Sequence, residues 1–264
     1  MNKVLQTLLI SFLFIFPQSV FGSDLKIAFF ASSSENGYNQ ATWEGVKDAA
    51  AKAGGVDVSI FNGEFNATLQ YGQIEDIIAS QEFDGFVVVP NDTVGIAGAI
   101  EQAIAAGIKV ATSLFPIGPD LTTLEPQVEG LTATAAGSPV YGATLQANAV
   151  VDYCHDKNPC NTIIMIGQKI YPFDKLRYDT FLDILGKESN INIVATVEGN
   201  YSPDVSLTGM TDALQAAKDV HVVLSNADQH LLGAEIALAD AGYNVADLYL
   251  MGGGAAEVAI EAIK

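Results

Sequence analysis

A polar run, Ser32-Ser33-Ser34-Glu35-Asn36-Gly37-Tyr38-Asn39, follows the first apolar segment and directly precedes a helical pattern. Hydroxyl, amide and carboxylate groups beside an aromatic ring suit a polyhydroxylated solute, the polar groups bonding its edge while the ring covers a C–H face. Capping of the following helix by Ser34 or Asn36 is the alternative use of these residues. Farther along, Tyr171-Pro172-Phe173-Asp174-Lys175-Leu176-Arg177 follows another apolar run, and Arg177 is the only arginine in the chain. Its guanidinium offers a planar fork of donors for paired hydroxyls or a carboxylate. An ion pair with Asp174 or Asp179 is the competing role. Tyr201, in Gly-Asn-Tyr-Ser-Pro, supplies a ring for an opposite wall, and Asn226, Asp228 and Gln229 follow a third run. Asp228 either meets a solute or caps the helix that begins there.

Catalytic arrangements are not supported. His155, His221 and His230 are scattered, and no G-x-S-x-G elbow, H-E-x-x-H pair or C-x-x-C motif occurs. Gly252-Gly253-Gly254 sits between a strand and a helix, yet it lacks the G-x-G-x-x-G spacing of a dinucleotide loop. The expectation is a binding protein, not an enzyme, with no cofactor and no metal.

The elements that must position these loops alternate strand and helix, the rhythm of a parallel sheet. Strands are expected from Lys26, Val56, Gly85 and Lys109, with continuous apolarity that predicts burial on both faces, and a fifth, weaker one from Gln127 to Thr134. Helices with a 3.6-residue period lie between them: Trp43, Val46, Ala50 and Ala53 mark the first, Tyr71, Ile74, Ile77 and Ile78 the second, and Ile96, Ile100 and Ile104 the third. Each is expected to turn one apolar stripe toward the sheet. Ser138-Pro139 opens a long helix to about Asp156, after which strands from Thr162, Asn192, Val220 and Asp247 alternate with helices from about Asp174, Val205 and Asp228. The fold class is therefore α/β, two doubly wound parallel-sheet lobes over residues 23–135 and 136–264, with ligand loops beyond the carboxyl ends of the strands. The pattern stops at Lys264 before a returning strand, so a C-terminal segment completing both lobes is expected beyond it.

Residues 1–22 read as a cleavable export signal: Lys3, then the 13-residue apolar run VLQTLLISFLFIF, then Pro17 and a small-residue end at Gly22. That run is short of the roughly 20 residues a membrane span needs. Lys3 is its only charge, so the remainder holds 11 basic against 31 acidic residues, a net charge of −20. Such a chain is a poor partner for nucleic acid, which needs clustered cations. Cys154 and Cys160, in C-H-D-K-N-P-C, predict a local disulfide in an exported protein, favoured over a metal site because His155 and two sulfurs make an incomplete ligand set. Closing so small a loop is worth about 2 kcal/mol.

Several stretches of residues 26–264 resemble the periplasmic solute-binding proteins of the ribose and galactose type, which share the type I fold with the sensing halves of LacI-like repressors: I-A-F-F-A-S-S-S-E-N-G-Y-N-Q-A-T-W-E-G-V, F-D-G-F-V-V-V-P-N-D, A-I-A-A-G-I-K-V and A-D-Q-H-L-L-G-A-E-I-A-L-A-D-A-G. The resemblance implies that Ser32, Asn36, Tyr38 and Asn39 line a sugar cleft from the first lobe, that Arg177 clamps the ligand and that Tyr201 stacks on it. Tyr171, Asn226 and Asp228 occupy neighbouring loops. The chain departs from the family pattern at Leu114-Phe115, where the family carries an Asp-Arg pair, at Ala227 in place of Asn and at Gly254 in place of Asp. Phe115 thus enters the site as an apolar wall, and the solute changes with it, because an unpaired polar group costs about 1–3 kcal/mol. The resemblance also implies a periplasmic monomer that closes on a sugar-like small molecule and delivers it to an ABC transporter permease. A chemotaxis or sensor-kinase receptor is the alternative membrane partner, and an exported enzyme or a ligand-sensing repressor are the competing classes.

Overall fold

A computed structural model describes residues 25–263. The expected export signal, residues 1–22, lies outside the described residues. The first sheet is built from β1 (Leu25–Ala31), β2 (Val56–Asn62), β3 (Gly85–Val88), β4 (Lys109–Leu114) and β5 (Ala133–Ala136), all parallel, in the order β2-β1-β3-β4-β5. Helices α1 (Gly37–Ala53), α2 (Ala67–Ser80) and α3 (Ala97–Ala105) connect its strands. The second sheet, order β7-β6-β8-β9, comprises β6 (Cys160–Ile166), β7 (Ile191–Glu198), β8 (Val222–Ser225) and β9 (Tyr249–Met251). Around it run α4 (Pro139–Cys154), α5 (Pro172–Leu185), α6 (Pro203–Ala216) and α7 (Asp228–Asp240), followed by a 3-10 turn at Val245–Asp247 and by α8 (Glu257–Ile263) after β9.

Local chemistry explains the helix starts. Asn36, Asn66, Ser138 and Ser202 each accept a hydrogen bond from a backbone N–H of the first turn that follows. Proline occupies the first helical position of α4, α5 and α6, where its missing N–H costs nothing.

Packing is two-sided in the second lobe. Successive β6 residues point to opposite faces. Ile164 and Ile166 join Ala143, Ala147, Phe181 and Leu185 of α4 and α5, while Ile163 and Met165 join Met210, Leu214, Ala234 and Leu238 of α6 and α7. In the first lobe, one sheet face packs Ala28, Phe30, Phe86 and Val88 against Ile74 of α2 and Ala99 and Ile100 of α3. The other carries a smaller cluster in which Phe29, Ala31 and Val89 meet Trp43 and Val46 of α1.

Three expectations need correction. The fifth strand is Ala133–Ala136, not 127–134. Residues 128–131 form a turn (Leu131 N–H to Val128 O, 3.1 Å) that drops Val128 and Leu131 into the core, and the Gln127 side chain is bound to Asp120. Next, β2 is not buried on both faces: it is an edge strand with no fully buried residue. Finally, the α1 stripe is only half-buried, its one buried residue being Asn39, because the cluster beneath draws on α1 alone among the described helices.

The expected disulfide joins Cys154 at the end of α4 to Cys160 at the start of β6, with Cα atoms 5.7 Å apart. Its reduction, or the Cys154→Ser/Cys160→Ser double variant, is expected to lower the calorimetric midpoint by about 4–8 °C. An unchanged midpoint would show that this bridge does not support the α4–β6 junction.

Candidate functional site

The turns that leave the carboxyl ends of the strands face one another across a cleft of about 1050 Å³ between the two sheets. All ten residues expected at the site line it: Ser32, Asn36, Tyr38, Asn39, Phe115, Tyr171, Arg177, Tyr201, Asn226 and Asp228. Their side chains are not equally free, however.

On the first-lobe wall, Asn36 caps α1, its Oδ1 accepting from Tyr38 N and Asn39 N. The capping role thus falls to Asn36, not Ser34. Ser32 and Asn39 are engaged with each other: Ser32 N donates to Asn39 Oδ1 at 3.1 Å, and Asn39 Nδ2 donates to Ser32 Oγ at 2.9 Å. Tyr38 remains at the rim, 45% exposed, its hydroxyl without a hydrogen-bond partner among the described residues. Phe115 is turned inward by Leu114, a non-glycine residue with φ of 73°, and Thr112 Oγ1 secures the turn by donating to Phe115 O at 2.9 Å.

The second-lobe wall is organised around Asp174, in the first turn of α5 and with no exposed side-chain surface. Its carboxylate accepts from Gln168 N (2.7 Å), Asn226 Nδ2 (2.8 Å) and Tyr201 Oη (2.5 Å), and Arg177 Nη1 lies 3.9 Å away. Burial pushes the Asp174 carboxyl up from its ordinary value, opposed by the Arg177 charge and the three donors. Burial, with the adjacent Asp174 carboxylate, also holds the Tyr201 hydroxyl well above its ordinary value, so it stays a donor. Gly167, at the end of β6, leaves room for this arrangement, since a Cβ there would collide with the Asp174 carboxylate and the Tyr201 ring.

Arg177 is not a surface ion-pair residue. Its guanidinium carbon sits 5.0 Å from the Phe115 ring centroid and 6.0 Å from that of Phe173, and those two rings stack on each other at 4.3 Å. Lys175, not Arg177, is the partner of Asp179. The guanidinium therefore sits over an aromatic surface in the cleft lining, beside Asp174.

Asp228 does not cap α7, whose cap position is Ala227 without a side-chain bond. Instead its Oδ2 accepts from Ala256 N at 2.8 Å, tying α7 to the glycine-rich turn. Asn226 Oδ1 is buried with no hydrogen-bond partner among the described residues. Leaving such an acceptor unmet costs about 1–3 kcal/mol.

Sequence reasoning missed Asp174 as the hub, Phe173 as the arginine's floor and Phe65, whose ring stacks on Tyr201 at 5.0 Å across the cleft. It also passed over His230 of α7, which is fully buried. His230 Nε2 accepts from Tyr201 N at 2.9 Å, and its Nδ1 is 2.9 Å from Ser225 Oγ. An N–H therefore resides on Nδ1, facing the serine. Phe65 had a sequence signal, since Gly-Glu-Phe-Asn repeats the type of Gly-Asn-Tyr-Ser.

A family profile described as "Periplasmic binding protein domain" matches residues 27–264. A putative rhizopine-binding protein of Rhizobium meliloti is 27% identical over 212 residues, 79% of this chain and 65% of its own length. The ribose import binding protein RbsB of Bacillus subtilis is 24% identical over 222 residues, 84% of this chain and 68% of its own. The chain thus spans about two thirds of the length of these curated relatives. Among solved structures, a Caulobacter myo-inositol binding protein bound to myo-inositol aligns with a TM-score of 0.78 at 21% identity, covering 92% of this chain and 79% of its own. That likeness shows the fold, the type I arrangement of two parallel-sheet lobes.

Burial, with the Arg177 charge adding to it, lowers His230 from its ordinary value to about 3, so the ring is neutral in the folded protein and takes up a proton on unfolding. Its contribution to stability is complete above about pH 6.5 and falls as the pH drops toward 3, by up to about 1.4 kcal/mol per unit. His230→Gln keeps an acceptor for Tyr201 N, and is expected to flatten that part of the stability–pH curve in denaturant titrations from pH 4 to 7. Parallel curves for the two proteins would contradict the neutral buried ring.

Proposed function

Because the chain belongs to the periplasmic binding protein domain family, we propose that it captures a sugar or sugar-like small polar solute between its lobes and delivers it to an ABC importer. In this reading residues 1–22 are a cleavable export signal, the mature protein is a periplasmic monomer, and the ten cleft residues named above form the binding site.

The observation that carries the reading is the Arg177 fork lying on the Phe115–Phe173 stack beside the buried Asp174. A guanidinium's planar set of N–H donors beside an aromatic surface suits a ring that presents hydroxyls at its edge and C–H bonds on its face. The partnerless Asn226 Oδ1 adds an acceptor for a ligand hydroxyl. Tyr38 supplies a further ring at the entrance. Ribose, named for one relative, and myo-inositol, bound by a structural neighbour, are rings of this general kind. Phe115 and Leu114 stand where the family has a charged pair, so the preferred solute carries fewer hydroxyls, or a less polar substituent, on that side.

Thermal shift against monosaccharides, polyols and cyclitols is the direct test. At least one solute is expected to raise the midpoint, by an amount that grows with the logarithm of concentration above Kd. Arg177→Ala is expected to weaken that solute by a hundredfold or more, about 3 kcal/mol, as befits loss of charge-assisted bonds. Unchanged affinity in that variant sinks the arginine's role, and turnover of a substrate without any binding shift would favour an enzyme.

A further inference from the structure

Two turns repeat one design. After β2 the chain reads Gly63-Glu64-Phe65-Asn66, and after β7 it reads Gly199-Asn200-Tyr201-Ser202. In each, the two residues after the glycine adopt left-handed backbone: φ is 52° and 50° at Glu64 and Phe65, 48° and 54° at Asn200 and Tyr201. The fourth residue caps the next helix, Asn66 accepting from Leu69 N and Ser202 from Val205 N. Left-handed backbone is unfavourable for bulky side chains, and it persists where surrounding structure holds a side chain in a working position.

The two aromatic residues so held face each other from opposite lobes. Their ring centroids are 5.0 Å apart with planes 23° from parallel. Tyr171 of the second lobe also donates its hydroxyl to Phe65 O at 3.2 Å, so Phe65 meets that lobe through both ring and backbone. Neither ring has much freedom to adapt. Phe65 N donates to Ser32 O at 2.7 Å, while Tyr201 is fixed by His230 at its backbone N–H and by Asp174 at its hydroxyl. At 5.0 Å no solute fits between the rings, so their contact is one of lobe with lobe.

We propose that Phe65 is a positioning residue, the first-lobe half of an aromatic latch that closes on Tyr201 and sets how firmly the cleft shuts. The proposal rests on the reading that the cleft takes up a solute. A contact made only on closure raises the share of the binding-competent arrangement, and apparent affinity scales with that share whatever the solute. Loss of the latch therefore weakens all solutes by one common factor, about two- to tenfold for a stacked ring pair. A direct ligand contact would instead change the ranking among solutes.

Two measurements decide it. In the first, spin labels on Glu101→Cys (α3) and Asp212→Cys (α6), both exposed and outside the cleft, report the inter-lobe distance in the full chain. Phe65→Ala and the bulkier Phe65→Leu are expected to shift the distribution to longer distances, and Phe65→Tyr to restore it; an unchanged distribution in both former variants overturns the latch. In the second, solutes that bind the wild-type protein are titrated into each variant. A uniform loss carried by faster dissociation is the expected result, whereas wild-type affinity, or a loss confined to one solute, overturns the proposal. A wild-type protein that binds no solute would remove the uptake reading, and the distance measurement would still decide whether the latch exists.

Discussion

Removing the Asp174 carboxylate from water is the constraint on which the second-lobe wall depends. A buried carboxylate is tolerable only with full hydrogen bonding and a neighbouring cation. Here those requirements recruit Gln168 N, Tyr201 and Asn226 from three different strand-end turns, and Arg177 from α5. Satisfying one buried charge therefore sets the tilt of an aromatic ring, the orientation of an amide and the position of a guanidinium. Removing one partner leaves the others uncompensated, and for a buried pair the cost is about 3–5 kcal/mol. The hub is thus a device for orienting side chains more than a source of net stability.

The first-lobe wall solves the same problem differently. Ser32 and Asn39 satisfy each other, Asn36 satisfies the start of α1, and Gln70 binds the ends of β1 and β3 through Ala31 O and Val89 O. These bonds stiffen the turns while leaving little hydrogen-bonding capacity there unspent. This wall brings the rings of Tyr38, Phe65 and Phe115 and the amides of Asn36, Asn39 and Asn91 to the cleft, opposite Arg177 of the second lobe. Between the walls, Phe115 stacks on Phe173 and Phe65 on Tyr201, and Tyr171 Oη donates to Phe65 O, so the lobes meet chiefly through aromatic residues.

Much of the architecture was legible from the chain alone. The beat of strands and helices, the caps at Asn36 and Ser138, the disulfide and the loops that form the cleft all rest on local rules: period, cap chemistry and cysteine spacing. The misjudged elements were those whose environment is set by distant residues. Apolar β2 looked central, yet the strand order makes it an edge, and Val128 and Leu131 looked like a strand because burial from a turn leaves the same apolar trace.

Within the site, the sequence determined which residue types stand at the strand ends, because the parallel-sheet rhythm delivers every such turn to the same side. Arg177 and Tyr201 could be named on that ground. Only the tertiary structure decided what each side chain is free to do. Asp174 had looked like a candidate for an i,i+3 pair with Arg177, which it forms at 3.9 Å, and proved also to be a buried hub shared with Tyr201 and Asn226, at sequence separations of 27 and 52. Phe65 lies in a short turn that could be read as an ordinary cap, until the second lobe places Tyr201 against its ring. The physical reason is common to both: hydrogen bonding to a buried charge and stacking between rings depend on through-space distance, which is fixed for Asp174 only when the turns of the second lobe assemble and for Phe65 only when the two lobes meet.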